Sequence, residues 1–558
     1  AAMILKRDYI FFFLILLLTG RCVAAQSNQY ATSSVLKEGL WAKIAVVKTG
    51  VYKLTWSEIK NMGFTNPADV SLYGNNTGQL SFYNDGTSPD DLRKISIKIE
   101  KGSDGIFNDG DYILFYAEGT HRWNYNYSSK KAEFSRHYYS DTAFYFITSL
   151  QNDARIIKEY NQPSATPTYI SDSYDFNFRY ENESVNIINS GREWYQSVSS
   201  GTRNTIDPQQ KDVVISENIN YKIRVLARSD RQAIFNFGQG SDVTTSLYPP
   251  VIDLSDINGL YASIATKEGS ITPSSSSPVF FLTFYNNGNS SASGYIDYVE
   301  LHGRSQLKYN TGQLIFSDTK SIASGQTTKF RIESASDLQV WDVTDPISPE
   351  SVRTTFSSGS VTYLAATDSL CKYIAFTPST LLTPVVKGRS VANQDLHSPV
   401  NASMIIVTHP LFYSQAVRIA AIHEKIDNIK SVIVTPSQIY NEFSGGIPDA
   451  AAIRNYVKMV WEREKQSPSP LKYLLLFGDG SYDNKTFPSS NTNYIPTWQS
   501  VNSNVGVLSF TSDDFYGLLE DNEGESDGTL DVGIGRLPVA DTTAAGLMVR
   551  KVRSYLSH

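Results

Sequence analysis

Few groups in this sequence could do chemistry, and their spacing decides what each could do. Asp479 follows the run YLLLFG (473–478), where a parallel strand delivers ligand-binding or catalytic groups. The surrounding Gly478-Asp479-Gly480 lacks the third glycine of a dinucleotide fingerprint, and the NKTFP that follows opens no helix to receive a pyrophosphate. His423-Glu424 is followed by Asp427 where a zincin has its second histidine, so the metal pair is incomplete. No G-x-S-x-G stands between a strand and a helix, the setting of a nucleophile elbow, and no Walker loop occurs. His302, in YIDYVELHG (295–303), reads as a strand-end histidine with a satisfied hydrogen bond rather than a metal ligand.

Two acidic stretches could cage a hard cation. One runs from Asp104 through Asn108 and Asp109 to Asp111, without EF-hand spacing or a closing bidentate Glu. Its Gly/Asn/Asp content favours a tight turn. The other is EDNEGESDG (520–528), which reads first as a solvated loop. No cofactor is required, and calcium stays open at both. Cys371, in the alternating segment LCKYIAF, has no nearby basic partner and reads as a buried structural thiol.

The elements around Asp479 alternate. MIIVT (404–408), a helix over 415–427, SVIVT (431–435), a helix over 450–465 and YLLLFGDG (473–480) predict a parallel sheet covered on both faces. Ile453, Val457, Val460, Trp461 and Glu464 follow the spacing of one core-facing stripe with a polar margin. Asp449 and Asp541 are the expected N-caps of the helices over 450–465 and 542–556. Between them lies an Asn/Ser/Asp/Gly-rich excursion (481–529), then a strand DVGIG (531–535).

The rest of the 558 residues reads as β structure. Residues 26–150 predict a small β domain, with a hairpin turning at Lys48-Thr49-Gly50 and a helix from Ser57, its N-cap, to Gly63. Residues 151–390 give strand after strand between Ser/Thr/Asn/Gly/Pro clusters, predicting a β-sandwich or jelly roll. VANQDLHSPVN (391–401) reads as a polar connector into the α/β part, 391–558.

Lys6 and Arg7, the apolar run 10–18 and the small residues Val23, Ala24 and Ala25 spell an export signal cut after Ala25. Arg21 disfavours a lipobox at Cys22. The run is too short to span a bilayer, so no transmembrane helix is expected after its removal. Cleavage leaves one cysteine, so no intrachain disulfide can form. A net charge of −7 without a basic face gives no support to nucleic-acid binding.

In this order and spacing, YLLLFGDGSYDN, IPTW, SDDFYG and DVGIGRLPV resemble the gingipain-type cysteine peptidases. VVKTGVYKLTW, GDYILFYAEG, SGREWYQ (190–196), VWDVTDP (340–346) and VANQDLH (391–397) narrow the resemblance to the sortases of the type IX secretion system. The resemblance implies a caspase-like fold, of which 391–558 is the first half. It also implies a cell-surface location, with secretion-system surface components and cargo bearing carboxy-terminal sorting domains as partners. Family members use a general-base histidine in a Gly-His-Gly context and a strand-end cysteine. This sequence has no Gly-His-Gly and no cysteine after Cys371, so no catalytic, cofactor or metal residue is assigned to any position. The dyad is expected beyond His558, which leaves the chain inactive alone and its half-sheet with an apolar edge. An inactive binding or assembly subunit, or a secreted β-sandwich adhesin, are the alternatives.

Overall fold

The computed structural model describes residues 30–64, 70–149, 154–485 and 491–557. The export signal and Cys22 lie outside the described residues. Among those described, no helix is long and apolar enough to cross a membrane.

The first region is built from two larger antiparallel sheets and the two-stranded pair Arg122–Asn126 and Lys131–Ser135. One has the order Val385–Gly388, Trp41–Val46, Ala143–Thr148, Ser71–Gly74, Arg93–Ile95; the other Gly50–Thr55, Tyr112–Ala117, Ile97–Glu100. The expected hairpin at Lys48–Gly50 does not form, because its two strands enter different sheets. The reason is burial. Trp41–Val46 is buried on both faces apart from Lys43, so it sits inside a sheet and takes 143–148 and 385–388 as partners. Gly50 then passes so close to the 310–316 segment that an added Cβ would meet the Gln313 side chain at 2.7 Å. The Gln313 amide bridges both backbone groups of Val51, at 2.7 and 2.9 Å. The helix Trp56–Asn61 is capped by Thr55, not Ser57. Thr55 and Glu58 form a reciprocal capping box that satisfies two otherwise orphaned N–H groups.

Residues 154–376 form paired sheets over one continuous apolar cluster that includes Phe235, Phe284, Val299, Phe330, Val340 and Tyr373. Ser293–Gln306, the strand expected to be central, lies between Ser173–Tyr180 and Ile219–Arg228. His302 sits inside that strand rather than at its end. Its Nδ1 is 2.7 Å from Asn177 Oδ1 and its ring edges onto Trp123. Cys371 precedes the strand Tyr373–Phe376 and is only partly buried, its Sγ 3.5 Å from the Ala366 carbonyl.

The last region is a four-stranded parallel sheet, ordered Ser431–Val434, Met404–Thr408, Tyr473–Phe477, Gly533–Leu537. Helices Tyr413–Asp427 and Thr542–Leu556 cover one face through Ile406, Ile419, Phe477 and Val549. Pro436–Phe443 and Ala450–Glu464 cover the other. Asp449 and Asp541 cap their helices as expected, accepting from Ala451 and Ala544. The helix Pro436–Phe443 escaped the sequence reading, although Thr435-Pro436 with Gln438 is a capping box with proline at the first helical position. The last strand starts at Gly533, not Asp531, because the Asp531 carboxylate accepts the Leu519 N–H at 3.0 Å and its own N–H goes to Gly517.

Helix Ala450–Glu464 departs furthest from expectation, being buried nearly all round, Arg454 and Lys458 included. Its outer face lies under the loop 79–85 of the first region and the loop 515–521. Arg454 donates to the carbonyls of Ser81, Phe82 and Tyr83, and Lys458 to that of Leu519 at 2.6 Å. Leu80, Phe82 and Tyr139 of the first region join the same core as Ile439, Phe443 and Trp498.

Candidate functional site

The carboxyl edge of the parallel sheet brings together Thr408-His409, Gly478-Asp479 and Leu537, and residues 492–495 of the excursion bond back to it. Thr408 Oγ1 donates to the Phe477 carbonyl at 3.1 Å, tying the first two strand ends together. Asp479 is tied on every side. Its N–H goes to Val539 O at 3.1 Å, its carbonyl accepts from Tyr494 and Ile495, and its carboxylate accepts the Thr492 hydroxyl at 2.5 Å. A strand-end carboxylate used in this way organises the loop.

Arg536, on the edge strand, is the hub. Its guanidinium donates to the carbonyls of Gly478, Ile495 and Pro496 at 3.1–3.3 Å and grips both Asp513 oxygens at 2.7 and 2.8 Å. Burial works against that charge, but the Asp513 pair outweighs it and raises the Arg536 pKa. The motifs GDG, IPTW, SDDFYG and GIGRL therefore converge on one guanidinium. Glycine is needed at Gly480, where a Cβ would lie 2.6 Å from Thr497 Cγ2.

His409 and His423 are both held by local bonds. His409 Nδ1 accepts the Leu411 N–H at 3.3 Å and its ring packs on Tyr494, 4.8 Å between centroids. Burial lowers its pKa. His423 pairs with Asp427 at 2.8 Å within its helix. Burial raises the Cys371 pKa, which disfavours a thiolate. Among the described residues, no group of three or more His, Cys, Asp or Glu could hold a metal ion.

The acidic stretches are occupied by protein groups. The Asp111 carboxylate accepts from the N–H groups of Gly102 and Asn108, and Asp104 from Ile106 N–H and the Asn108 amide. In 520–528, Asp521 meets Lys458 at 3.0 Å and Glu525 meets Arg192 at 3.1 Å. Arg192, from SGREWYQ, lies over the rings of Phe82 (4.5 Å), Tyr138 (5.0 Å) and Trp498 (5.7 Å), so the three regions meet on its side chain. Gly191 must be glycine, with φ +81° and the Asn502 carbonyl 2.1 Å from where a Cβ would sit. The motif was visible in the sequence, but its partners were not, since they come from both other regions of the chain.

The connector is also built in. His397, fully buried, has Nδ1 2.7 Å from Glu442 Oε2 and Nε2 3.0 Å from Asp90 Oδ1. Burial alone would lower its pKa, but the hydrogen bonds it donates to Asp90 and Glu442 raise it to about 10. A second buried pair, His137 and Asp449, lies 3.7 Å apart. His137 Nδ1 accepts the N–H groups of Tyr139 and Ser140, which places the ring proton on Nε2, facing Asp449. Burial lowers the His137 pKa to about 3 and raises that of Asp449 to about 7.

Comparison with known proteins fits this arrangement. Residues 397–558 match the family model of Peptidase family C25. Among solved structures, the dimeric latent PorU from Porphyromonas gingivalis superposes with a TM-score of 0.80 at 24% identity, over 93% of this chain. The match takes in 50% of that protein, so the chain spans half its length. The CBM36-1 domain of a multidomain xylanase from the hindgut metagenome of Trinervitermes trinervoides matches at 12% identity over 23% of this chain and 96% of its own, with a TM-score of 0.15 that carries no argument. No curated protein matches the chain at the same level of significance. Residues 397–558 thus carry the pattern of Peptidase family C25, the gingipain family, within a chain that has the fold of half of PorU.

Proposed function

We propose that this polypeptide is the amino-terminal part of an exported, cell-surface cysteine endopeptidase that acts as a type IX secretion sortase, removing carboxy-terminal sorting domains from cargo. The observation that carries this reading is the fit of 397–558 to the C25 peptidase family inside a PorU-like fold. Its partners are then the cargo proteins and the surface components of the secretion machinery.

The chemistry of such an enzyme is acyl transfer through a thioester: a thiolate attacks, backbone N–H groups hold the oxyanion, and water or an amine resolves the acyl-enzyme. This chain holds no Gly-His-Gly and no cysteine after Cys371, so in this reading the dyad comes from polypeptide outside the sequence. The chain's own contribution is positional. Arg536, Asp513 and Asp479 fix the loops at the carboxyl edge of the sheet, where a substrate strand would approach.

Incubating purified 26–558 with a sorting-domain peptide tests the first half of the proposal. No cleavage is expected, and turnover without an added chain would overturn it. A longer polypeptide that adds a downstream Gly-His-Gly and strand-end cysteine should cleave the same peptide. Failure to do so would favour an inert assembly subunit.

A further inference from the structure

Residues 30–37 run between the first β region and the α/β layer, held on both sides. The Ala31 N–H donates to Asp90 Oδ2 at 2.5 Å, the Val35 N–H to Asp91 Oδ2 at 2.8 Å and the Ser34 N–H to Asp395 Oδ1 at 2.8 Å. From the α/β layer, Arg463 donates to the Ala31 carbonyl at 2.5 Å, and Glu462 Oε2 accepts the Tyr30 hydroxyl at 2.6 Å. Asp90 and Asp91 belong to the first region, whereas Arg463 and Glu462 lie on the helix Ala450–Glu464.

Asp90 has a second task. One of its oxygens holds Ala31 and the other faces His397 Nε2 at 3.0 Å, while His397 Nδ1 faces Glu442 at 2.7 Å. Carboxylates at both ring nitrogens need two N–H donors, which only the imidazolium has. The ring lies flat on Phe443, with centroids 5.1 Å apart and planes 7° apart, so it cannot turn to exchange partners.

We propose that residues 30–37 are a strap fastening the first β region to the α/β layer, with His397 as its catch, so that loss of the ring's second N–H releases Asp90 and lifts the Ala31 end.

The charges around the ring come from every neighbouring element. Asp90 and Asp91 stand on the loop 87–93, Glu442 on the helix Pro436–Phe443, and Asp395 two residues before His397. The cations are Lys37 of the strap, 3.7 Å from Asp395, and Arg463, which donates to the His397 carbonyl at 2.7 Å. Four carboxylates against two fixed cations leave the imidazolium as the charge that holds Asp90 and Glu442 together. Burial, with a smaller contribution from Glu442, raises the Asp91 pKa to about 6. The ring's own pKa near 10 places release in the alkaline range.

Hydrogen exchange on the full chain tests the strap directly. Amides 30–37 are compared with the sandwich strand Ile219–Arg228 at pH 7 and pH 10.5, each corrected for intrinsic exchange. Strap protection should fall at least tenfold more than that of the control strand. Asp90→Asn should lose strap protection already at pH 7, because the amide holds neither Ala31 nor the ring as strongly. Glu442→Gln, which keeps the ring, should move the midpoint of release to lower pH and serves if His397→Gln does not fold. Strap and control falling together, or a wild-type profile in Asp90→Asn, would overturn the proposal.

Discussion

The sandwich region and the α/β layer are both closed by apolar residues, but they differ in where those residues come from. Residues 154–376 draw their main cluster entirely from within their own span. The α/β layer borrows Leu80, Phe82 and Tyr139 from the first region, and its central helix buries Arg454 under that region's loop 79–85. A core made of its own segment can survive excision. A core completed by a neighbour, with a buried guanidinium held by that neighbour's carbonyls, cannot.

Cutting the chain sharpens this comparison most. Isolated 154–376 should unfold in one cooperative transition, whereas isolated 391–558 should aggregate or stay partly molten, with Ile439, Phe443 and Trp498 uncovered. The exposed edge strand Gly533–Leu537 adds a template for pairing with other chains. A monomeric 391–558 with a sharp calorimetric transition would contradict this.

Point substitutions come next. Phe330→Ala should cost about 4 kcal/mol through its cavity, confined to the sandwich. Arg454→Met should cost about 3 kcal/mol, by leaving the carbonyls of residues 81–83 without their donor. The two should separate by exchange pattern, the second loosening 79–85 while the sandwich stays protected. Arg192→Lys keeps the charge near Glu525 but loses the planar stack on Phe82, Tyr138 and Trp498, a loss of about 1 kcal/mol. Equal effects from Arg192→Lys and Arg192→Ala would show that stacking contributes nothing.

On the acid side the seam should again be the weaker partner. The folded pKa of His137, about 3, lies below its unfolded value, so the fold favours the neutral ring. Its contribution is present above about pH 6.5 and is lost as pH falls toward 3. Asp449, raised to about 7, acts in the opposite sense, its burial costing most above that pH. His137→Gln should flatten the acid limb of the stability profile. The smallest effect is Thr55→Ala, about 1 kcal/mol from the lost capping box, read as a shift in denaturant midpoint.

The α/β layer was the most legible part of the sequence because its signals are local. Apolar runs of strand length and caps such as Asp449 and Asp541 placed its strands and three of its helices within a few residues. The helix Pro436–Phe443 was missed although Thr435-Pro436 announced it, since an eight-residue helix shows little periodicity. What sequence could not reveal was partnership. Lys48-Thr49-Gly50 looks like a hairpin until the rival strands at 112–117 and 143–148 are known. Arg454 looks like a solvated helix charge until the loop 79–85 is placed over it, and VANQDLH looks like a linker until His397 meets Asp90 and Glu442. Asp479 stood where the pattern put it, but its use in bonding Thr492 needed the excursion's path.

The pairing of Val385–Gly388 with Lys43–Ala45 has a consequence for the order of assembly. The sheet that contains Trp41–Val46, the first strand among the described residues, is finished by a strand made after the whole sandwich. Closing a loop of that length is entropically slow, and it can follow only once the sandwich has gathered its two ends. The sheet nearest the amino terminus is therefore completed only after the sandwich. It stays unfinished until the strand Val385–Gly388 has been made.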